Sequence, residues 1–317
     1  MTSAITSTDD AGLTKAFGAI RAVDGIELDV AKGAVFGLLG PDGAGKSTLI
    51  RLLATVLAPD EGDVEIFGIS LRRRPDEITP LLGYMPQKFS MYPDLTVAEN
   101  INFFAKLRGV KKADRQLRST RLLAQMGLAN FAKRRAGRLS GGMKQKLMLA
   151  SLLMHEPELL LLDEPTTGVD PVSRHEFWEV IDRLREDGKT TFVATPYMDE
   201  AERCTQIAFI AAGKLTHVGT PAQTKARVGG VLIEVTSENP RLTLQALEGS
   251  HSFTSTHLFG DAVRVLVPQE RAGARRIQEV LLGSQLSYQL ETIPMDMESA
   301  FAALAEPGRD DHLGGEL

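Results

Sequence analysis

The segment GPDGAGKS, residues 40–47, restricts the possible folds of this chain more than any other stretch. It matches the pattern G-x-x-x-x-G-K-[ST], follows the apolar run AVFGLL and precedes the helix-like TLIRLLATVL. Glycines in such a loop let backbone amides point at phosphate oxygens, and the next helix adds its positive end. The sequence therefore predicts a strand–loop–helix unit that binds nucleotide phosphates through Gly40, Pro41, Asp42, Gly43, Ala44, Gly45, Lys46, Ser47 and Thr48.

Two side chains of this loop have predicted roles of their own. Lys46 is expected to reach the β- and γ-phosphates, and the hydroxyl of Ser47 is expected to bind Mg²⁺. A chance glycine-rich turn is the alternative, which the flanking strand and helix patterns disfavour. We therefore interpret this region as a nucleotide site.

The alternation of short apolar runs with helical stretches, from about residue 12 to 220, predicts the fold class. It is typical of an α/β fold with a mostly parallel sheet and helices packed on it, as in P-loop NTPases. The clearest strands are residues 34–40, 158–163 and 190–195, whose continuous apolarity indicates burial on both faces. Between the first two we predict a helical subdomain over about 88–155.

The domain organisation is predicted from changes in this pattern. Around residues 219–230 the pattern shifts, and five further strand-like and helix-like segments follow. We expect a nucleotide-binding domain over residues 12–222 and a small α+β domain over residues 223–305. Residues 1–11 and 306–317 are predicted to be disordered tails.

Composition excludes several functional classes. The single cysteine, Cys204, cannot form an intrachain disulfide, which fits a reducing cytosol. A formal net charge of −5 disfavours nucleic acid as a partner. The polar start MTSAITSTDD does not resemble a signal peptide, and the densest apolar run, residues 159–162, is too short to span a bilayer. A membrane role is therefore expected to need a partner.

The segment ELLLLDEP, residues 158–165, is a predicted buried strand that ends in two carboxylates. We predict that Asp163 holds Mg²⁺, usually through water, and that Glu164 polarises an attacking water as general base. The alternative is an ordinary strand end with solvated acids.

The segment RLSGGM, residues 138–143, places Ser140, Gly141 and Gly142 at the start of a long predicted helix. This is a second place suited to an anion, although a serine helix cap is the simpler interpretation. Because most of a domain lies between these two segments in the sequence, we do not expect both to bind the same phosphate group within a single chain.

Five motifs in order, GPDGAGKST, GYMPQ, LSGGM, LLLLDEP and GVD, resemble those of the ATP-binding subunits of ABC transporters over roughly residues 12–220. In that family two such domains face each other head to tail, and ATP is held between the phosphate loop of one and the LSGG segment of the other. The resemblance thus implies ATP and Mg²⁺ as ligands, a membrane subunit, and a second ATPase domain as partners.

The resemblance also implies roles for further residues. Phe17 matches the aromatic residue that stacks on adenine, with a core position as the alternative. Gln87 matches the glutamine that touches Mg²⁺ and lines the groove facing the membrane subunit, and Asp170 matches the D-loop aspartate that links the two sites. The segment after Gln87 is rich in Met91, Tyr92, Leu95 and Phe103. Most of these are expected to be helix core, and any exposed members would suit docking of a coupling helix of that subunit.

Three positions depart from the family pattern. Met143 stands where glutamine usually follows LSGG, and exporter subunits of this general type often have methionine there. Asp42 stands where asparagine is usual, and we expect modestly weaker nucleotide binding. Pro196 stands where the family has its switch histidine, and none of the six histidines lies in this junction. One interpretation is that Pro196 starts a helix and that Glu164 alone supports turnover. The other is a degenerate phosphate-loop site, with an intact LSGG segment completing the site of a different ATPase domain, as in the first half of tandem-ATPase exporters.

The predicted function is an ATP-binding and ATP-hydrolysing subunit of an exporter, cytoplasmic and held at the inner membrane face by its membrane subunit. Residues 223–305 are similar to the small domain of ABC-2-type and drug-resistance export ATPases. A separate polypeptide is expected as the second ATPase domain, so that a heterodimer is favoured and a homodimer remains open. The alternative is a nucleotide-gated structural or regulatory subunit that binds ATP with little hydrolysis. DNA-repair and translation ATPases are disfavoured, because neither a long coiled coil nor a second ATPase domain is found.

Overall fold

The computed structural model describes residues 2–8, 12–283 and 286–305. The chain divides into two compact units, with the boundary between Gly219 and Thr220. The expected boundary after residue 222 lies slightly later, because helix α8 (Pro221–Val228) already begins the second unit with a capping box between Thr220 and Gln223. The predicted tail over residues 306–317 lies outside the described residues.

The first unit contains three sheets, seven α-helices and three short 3-10 helices among its described residues. Its strands are β1 (Ser3–Ser7), β2 (Leu13–Phe17), β3 (Ile20–Ile26), β4 (Asp29–Ala31), β5 (Val35–Leu39), β6 (Val64–Ile66), β7 (Ile69–Ser70), β8 (Leu82–Met85), β9 (Leu159–Asp163), β10 (Thr190–Thr195), β11 (Gln206–Ala211) and β12 (Lys214–Gly219). Its helices are α1 (Lys46–Leu53), α2 (Pro75–Ile78), α3 (Val97–Leu107), α4 (Lys112–Gln125), α5 (Gly141–Leu153), α6 (Pro171–Glu186) and α7 (Met198–Ala201).

The main sheet confirms the predicted α/β class. Its strand order is β12-β11-β5-β10-β9-β8, and every neighbouring pair is parallel except β11 with β12. All residues of β5, β9 and β10 are buried, as continuous apolar strands covered on both faces should be. Phe36 and Phe192 stack in this core with ring centroids 4.9 Å apart.

Parallel pairing brings the sequence motifs to one edge of the sheet. Strand β10 lies between β5 and β9, with Thr195 opposite Leu39 and Ala194 opposite Asp163. The phosphate loop leaves β5, the paired acids end β9, and Pro196 follows β10. Because the three carboxyl ends are adjacent, the segments that follow them share one crevice.

The prediction of a disordered N-terminus is wrong for residues 3–7. They form β1, which pairs antiparallel with β4 and with β6, and Ala4 and Ile5 are fully buried. The local sequence is polar and short, so its stability depends on strands that are distant in the sequence. Residues 9–11 lie outside the described part of the chain.

The helical subdomain consists mainly of α3, α4 and α5, in agreement with the helical pattern of this stretch. Helix α3 begins with a capping box between Thr96 and Glu99. Buried Asn100 accepts a hydrogen bond from the amide of Tyr92 and donates to its carbonyl, which holds the preceding loop on α3.

The second unit contains, after α8, the elements β13 (Val231–Ser237), α9 (Pro240–Gly249), β14 (Ser255–Phe259), β15 (Ala262–Val267), α10 (Glu270–Leu281), β16 (Tyr288–Ile293) and α11 (Met297–Ala305). The sheet is antiparallel with order β14-β15-β13-β16, a ferredoxin-like arrangement. One face packs on α9 and α10, while Val228 of α8, Leu266 and two alanines of α11 form a smaller core. In the described parts of both units, no helix has the length and apolarity to cross a membrane.

Replacing Phe192 by alanine tests the core of the first unit. The substitution removes a fully buried ring stacked on Phe36, and we expect the free energy of unfolding to fall by about 3–5 kcal/mol. Urea denaturation followed by fluorescence reports on this unit alone, because the single tryptophan, Trp178, is buried in α6. The control is Leu117→Ala on the exposed side of α4, expected to change stability by less than about 0.5 kcal/mol. Equal losses for the two variants would contradict the packing described.

Candidate functional site

Two glycines let the phosphate loop sit close to neighbouring strands. Gly45 has φ +112°, and a side chain there would place its Cβ 2.1 Å from the carbonyl oxygen of Ala22 on β3. At Gly40 the Cβ would lie 2.2 Å from the carbonyl oxygen of Ile210 on β11. Gly45 is needed for its backbone conformation and Gly40 for its close approach to β11. The loop therefore has little freedom to move away from the sheet.

Lys46, the first residue of α1, is buried and points back into the loop. Its Nζ donates to the carbonyl oxygens of Gly40 at 2.9 Å and Pro41 at 3.0 Å. It also lies 3.4 Å from Oε1 of Glu164. The ammonium group therefore connects the loop after β5 with the acid after β9.

Ser47 and Asp163 form an oxygen-rich pair beside this lysine. The Ser47 hydroxyl donates to Oδ1 of Asp163 at 2.9 Å, while the other carboxylate oxygen, Oδ2, is buried with no hydrogen-bond partner among the described residues. Burial raises the pKa of the Asp163 carboxyl above its ordinary value, and the hydrogen bond from Ser47 opposes that shift. Hard oxygen ligands are those that Mg²⁺ prefers, so an unpartnered carboxylate oxygen beside a hydroxyl fits this ion.

Glu164 is held in a strained position at the end of β9. Its φ of +49° lies in the left-handed region, which costs energy for a residue with a side chain. Its amide donates to the carbonyl of Ala194 on β10. Its Oε2 accepts from the amide nitrogen of Gln87 at 2.8 Å and from the Thr167 hydroxyl at 3.3 Å. With Lys46 on the other oxygen, Oε1, the carboxylate is held by three side chains.

One cleft of about 450 Å³ brings these groups together, except that Asp163 is not in its lining and adjoins it through the hydrogen bond with Ser47. Its walls are formed by Ala22, Asp42, Gly43, Gly45, Lys46, Ser47, Thr48, Gln87, Glu164, Thr167 and Pro196. No histidine within the described ranges is among them. Eight predicted site residues from three separate motifs therefore meet at one place, together with Pro196: Asp42, Gly43, Gly45, Lys46, Ser47, Thr48, Gln87 and Glu164.

Pro196 does not occupy the first turn of a helix. Helix α7 begins at Met198 with Tyr197 as its N-cap, so Pro196 precedes the cap and lines the cleft. The interpretation of Pro196 as a helix starter is therefore wrong. At this position proline offers the cleft no side-chain hydrogen bond.

The LSGG segment and Asp170 lie away from the cleft. Ser140 caps α5 by accepting from the amide of Met143, and Asp170 caps α6 by accepting from the amide of Ser173. A Cβ on Gly142 would lie 2.4 Å from Cβ of Ser173, so α5 and α6 approach closely there. None of Ser140, Gly141, Gly142 and Asp170 is among the residues that line the cleft. Within one chain the two segments that were predicted to bind anions therefore do not share the cleft.

Phe17 lies at the end of β2 with half of its surface (50%) exposed. Lys15 places its Nζ 6.0 Å from the ring centroid. The alternative of a core position therefore does not hold, and the ring face is available for stacking.

The sequence analysis missed a buried link between the two strand ends. Glu200 of α7 is almost fully buried, and its two carboxylate oxygens accept hydrogen bonds from Thr166, after β9, and Thr195, at the end of β10, each at 2.5 Å. The Thr195 hydroxyl also accepts from the amide of Tyr197. The glutamate thereby holds the segments that carry Glu164 and Pro196 in a common arrangement. In the sequence, Glu200 lies in the segment DEAE (residues 199–202) after β10, and no pattern in that segment predicts its role.

Valine substitutions test the link through Glu200. Thr166→Val and Thr195→Val nearly preserve side-chain shape but leave one buried carboxylate oxygen without its donor, so each is expected to lower the free energy of unfolding by about 1–3 kcal/mol. The matched variants Thr166→Ser and Thr195→Ser keep the hydroxyl and should retain most of the stability. Urea unfolding followed through Trp178 measures the difference. Valine and serine variants of equal stability would show that these hydrogen bonds contribute nothing.

Known proteins resemble this chain in sequence. A family model described as "ABC transporter" matches residues 23–167. The probable multidrug ABC transporter ATP-binding protein YbhF of Escherichia coli is 41% identical over 263 residues, which cover 82% of this chain and 46% of YbhF. This chain thus spans about half the length of that relative. The daunorubicin/doxorubicin resistance ATP-binding protein DrrA of Streptomyces peucetius is 32% identical over 311 residues, covering 96% of this chain and 93% of DrrA.

Solved structures resemble the first unit. An ATP-binding cassette described as a dimer in a post-hydrolysis state, bound to ADP and Pi, is 26% identical with a TM-score of 0.61. The match covers 68% of this chain and 98% of that one. A second structure, an ATP-binding subunit of an ABC transporter, is 27% identical with a TM-score of 0.62, and the match covers 70% of this chain and 92% of that one.

Proposed function

This chain belongs to the ABC transporter family of ATP-binding proteins, and on that premise we propose that it binds and hydrolyses ATP to drive export through a separate membrane subunit. The observation that carries the proposal is the convergence of Lys46, Ser47, Gln87 and Glu164 on one cleft, with Asp163 hydrogen-bonded to Ser47 next to it. Phosphate binding, an oxygen ligand pair and a positioned carboxylate are the parts that phosphoryl transfer to water requires.

In the proposed reaction the loop amides and Lys46 bind the phosphates, and the exposed ring of Phe17 stacks on adenine. Glu164, fixed by Gln87 and Thr167, accepts hydrogen bonds from the attacking water and orients it toward the γ-phosphate. Ser47, Asp163 and Gln87 would hold Mg²⁺, which when bound neutralises charge on the phosphate oxygens. Electrostatic positioning by these groups supplies most of the rate enhancement.

We propose that a second ATPase domain completes the site. Ser140, Gly141 and Gly142 are removed from the chain's own cleft, so they are free to close the cleft of a partner, with Asp170 at the same interface. Pro196 cannot hold the γ-phosphate or water through a side chain, whereas the LSGG segment follows the family pattern. This asymmetry favours a heterodimer in which this chain contributes one weak site and completes one strong site.

The relatives' names support export as the direction of transport. YbhF is described as a multidrug ATP-binding protein and DrrA as a daunorubicin/doxorubicin resistance protein. The exposed rings of Tyr92 and Phe103 form a suitable docking surface for the membrane subunit. That contact would place the chain at the inner face of the membrane, and the membrane subunit would select the substrate.

Pro196 favours a second candidate function, a nucleotide-gated subunit that binds ATP with little hydrolysis. A missing positioning group costs on the order of 10²-fold or more in rate, while binding through the loop is retained. The two functions differ in turnover and not in ATP affinity.

Measurement of Mg-ATP hydrolysis by the purified chain separates these functions. We expect slow turnover, a gain on the order of 10²-fold for Pro196→His, and loss of the residual rate for Glu164→Gln. Pro196→Ala is the matched control, since it removes the ring without supplying an imidazole and should leave the rate unchanged. Fast wild-type turnover that Glu164→Gln abolishes and Pro196→His does not alter would instead indicate a self-sufficient ATPase, most simply a homodimer.

The variant Asp42→Asn tests the cost of the extra carboxylate in the phosphate loop. Asp42 is exposed and lies 3.9 Å from Nζ of Lys46, so it partly offsets the charge that attracts phosphate. Removing one charge at about 4 Å in water is worth about 1 kcal/mol, and we expect the Kd for Mg-ATP to fall up to ~5-fold at low salt. Calorimetric titration measures the change, and Asp187→Asn, outside the cleft, is the control. A gain that persists undiminished at high salt would contradict an electrostatic origin.

A further inference from the structure

The helical subdomain carries a concentration of positive charge that the ATP site does not use. Residues 106–146 contain thirteen lysines and arginines and a single acid, Asp114, so this stretch has a formal charge of +12. The whole chain has a formal charge of −5. The remainder of the chain therefore carries a formal charge of −17, so the positive charge is concentrated in one stretch of the sequence.

Part of this charge lines a groove of about 840 Å³ between α3 and α4. Lys106 enters it from α3, while Lys112 and Arg115 enter it from α4. Arg115 reaches across to Asn102, with Nη1 donating to Oδ1 at 3.3 Å, and its buried Nε has no hydrogen-bond partner within the described chain. The groove therefore presents donors and positive charge along both of its walls.

The one acid that lines the groove, Glu99, is already engaged. Its carboxylate accepts from the backbone amide of Thr96 at 2.8 Å and from the Thr96 hydroxyl at 2.7 Å. These bonds, and to a smaller extent the charge of Arg135, hold the pKa of Glu99 below its ordinary value. Glu99 stays ionised and capped on the helix, so it offsets only one of the surrounding charges.

The exposed lysines at this end of the subdomain are not neutralised by the chain. Lys106, Lys111 and Lys112 form no ion pair with any residue that the structure describes, whereas Arg118 and Arg121, further along α4, both pair with Glu156. A cluster of unpaired cations is costly through mutual repulsion unless it meets an anionic partner.

Apolar side chains accompany these cations on the same two helices. Leu107 on α3 and Leu117 on α4 are 69% and 75% exposed. Lysines next to exposed leucines are typical of surfaces that lie in a bilayer interface. A nucleic acid would use the charge but gain nothing from the exposed leucines.

We propose that the basic surface formed by Lys106, Lys111, Lys112 and Arg115 binds the anionic headgroups of membrane phospholipids. This inference rests on the proposed function, in which Phe103 of α3 and Tyr92 in the preceding segment meet the membrane subunit. Lys106 lies on that same helix, so docking brings the basic surface close to the adjoining lipid. The contact would attract the acidic chain to the membrane and orient its helical subdomain toward it.

Sedimentation with lipid vesicles tests the proposal on the full chain without nucleotide. We expect binding to phosphatidylcholine vesicles that contain about 30% phosphatidylglycerol, and little binding to pure phosphatidylcholine. The variant K106Q/K111Q/K112Q should weaken vesicle binding on the order of 10²-fold, about fivefold for each charge removed. The matched control, R241Q/R271Q/R275Q, removes three exposed charges from the second unit and should leave binding within about twofold of wild type.

The result that would overturn the proposal is equal binding of the two triple variants, or equal binding to charged and neutral vesicles. Binding to duplex RNA without binding to vesicles would also overturn it and indicate a nucleic-acid surface. Raising NaCl from about 0.1 to 0.5 M should release the wild-type chain, which tests the charge dependence without any substitution. ATP hydrolysis of the same variants, measured without vesicles, is expected to be unchanged, so the lipid result and the ATPase result can fail separately.

Discussion

Parallel pairing of β5, β10 and β9 is the constraint on which the rest of the site depends. It places the phosphate loop, the acids Asp163 and Glu164, and Pro196 at three adjacent strand ends. The loop is then fixed by close approach of Gly40 and Gly45 to neighbouring strands, and Lys46 joins it to Glu164. A change in register would move these groups to opposite faces of the sheet, since side chains alternate along a strand.

Support for the cleft comes from polar groups buried beneath it. Glu200 joins the segments that follow β9 and β10, and the amide of Glu164 bonds to β10. These contacts maintain the left-handed backbone at Glu164, which would otherwise relax toward an extended conformation. The position of the proposed general base is therefore a property of two strands and a short helix together. It is not a property of the DEP motif alone.

In the first unit, the groups proposed to bind different partners lie on different surfaces. The sheet edge carries the nucleotide cleft, the start of α5 carries the segment proposed to close a partner's cleft, and α3 and α4 carry exposed apolar and basic groups. Because these surfaces lie on different elements, substitutions in one need not disturb another. This arrangement fits a subunit that must contact nucleotide, a second ATPase domain and a membrane at once.

Much of this organisation could be predicted from the sequence, because the phosphate loop, the apolar strands and the helical stretch are local patterns. The sequence determined the α/β class and the strands β5, β9 and β10, and it singled out most of the residues that line the cleft, but not Ala22 and Thr167. Tertiary structure decided what depends on distant partners: the pairing of β1 with β6, the first residue of the second unit, and the elements α9 and β14. It also decided that Phe17 is exposed, that Pro196 precedes its helix, and that Glu200 joins two strand ends. Burial and hydrogen bonding between residues far apart in the chain leave no periodic pattern, and only the folded arrangement specifies them.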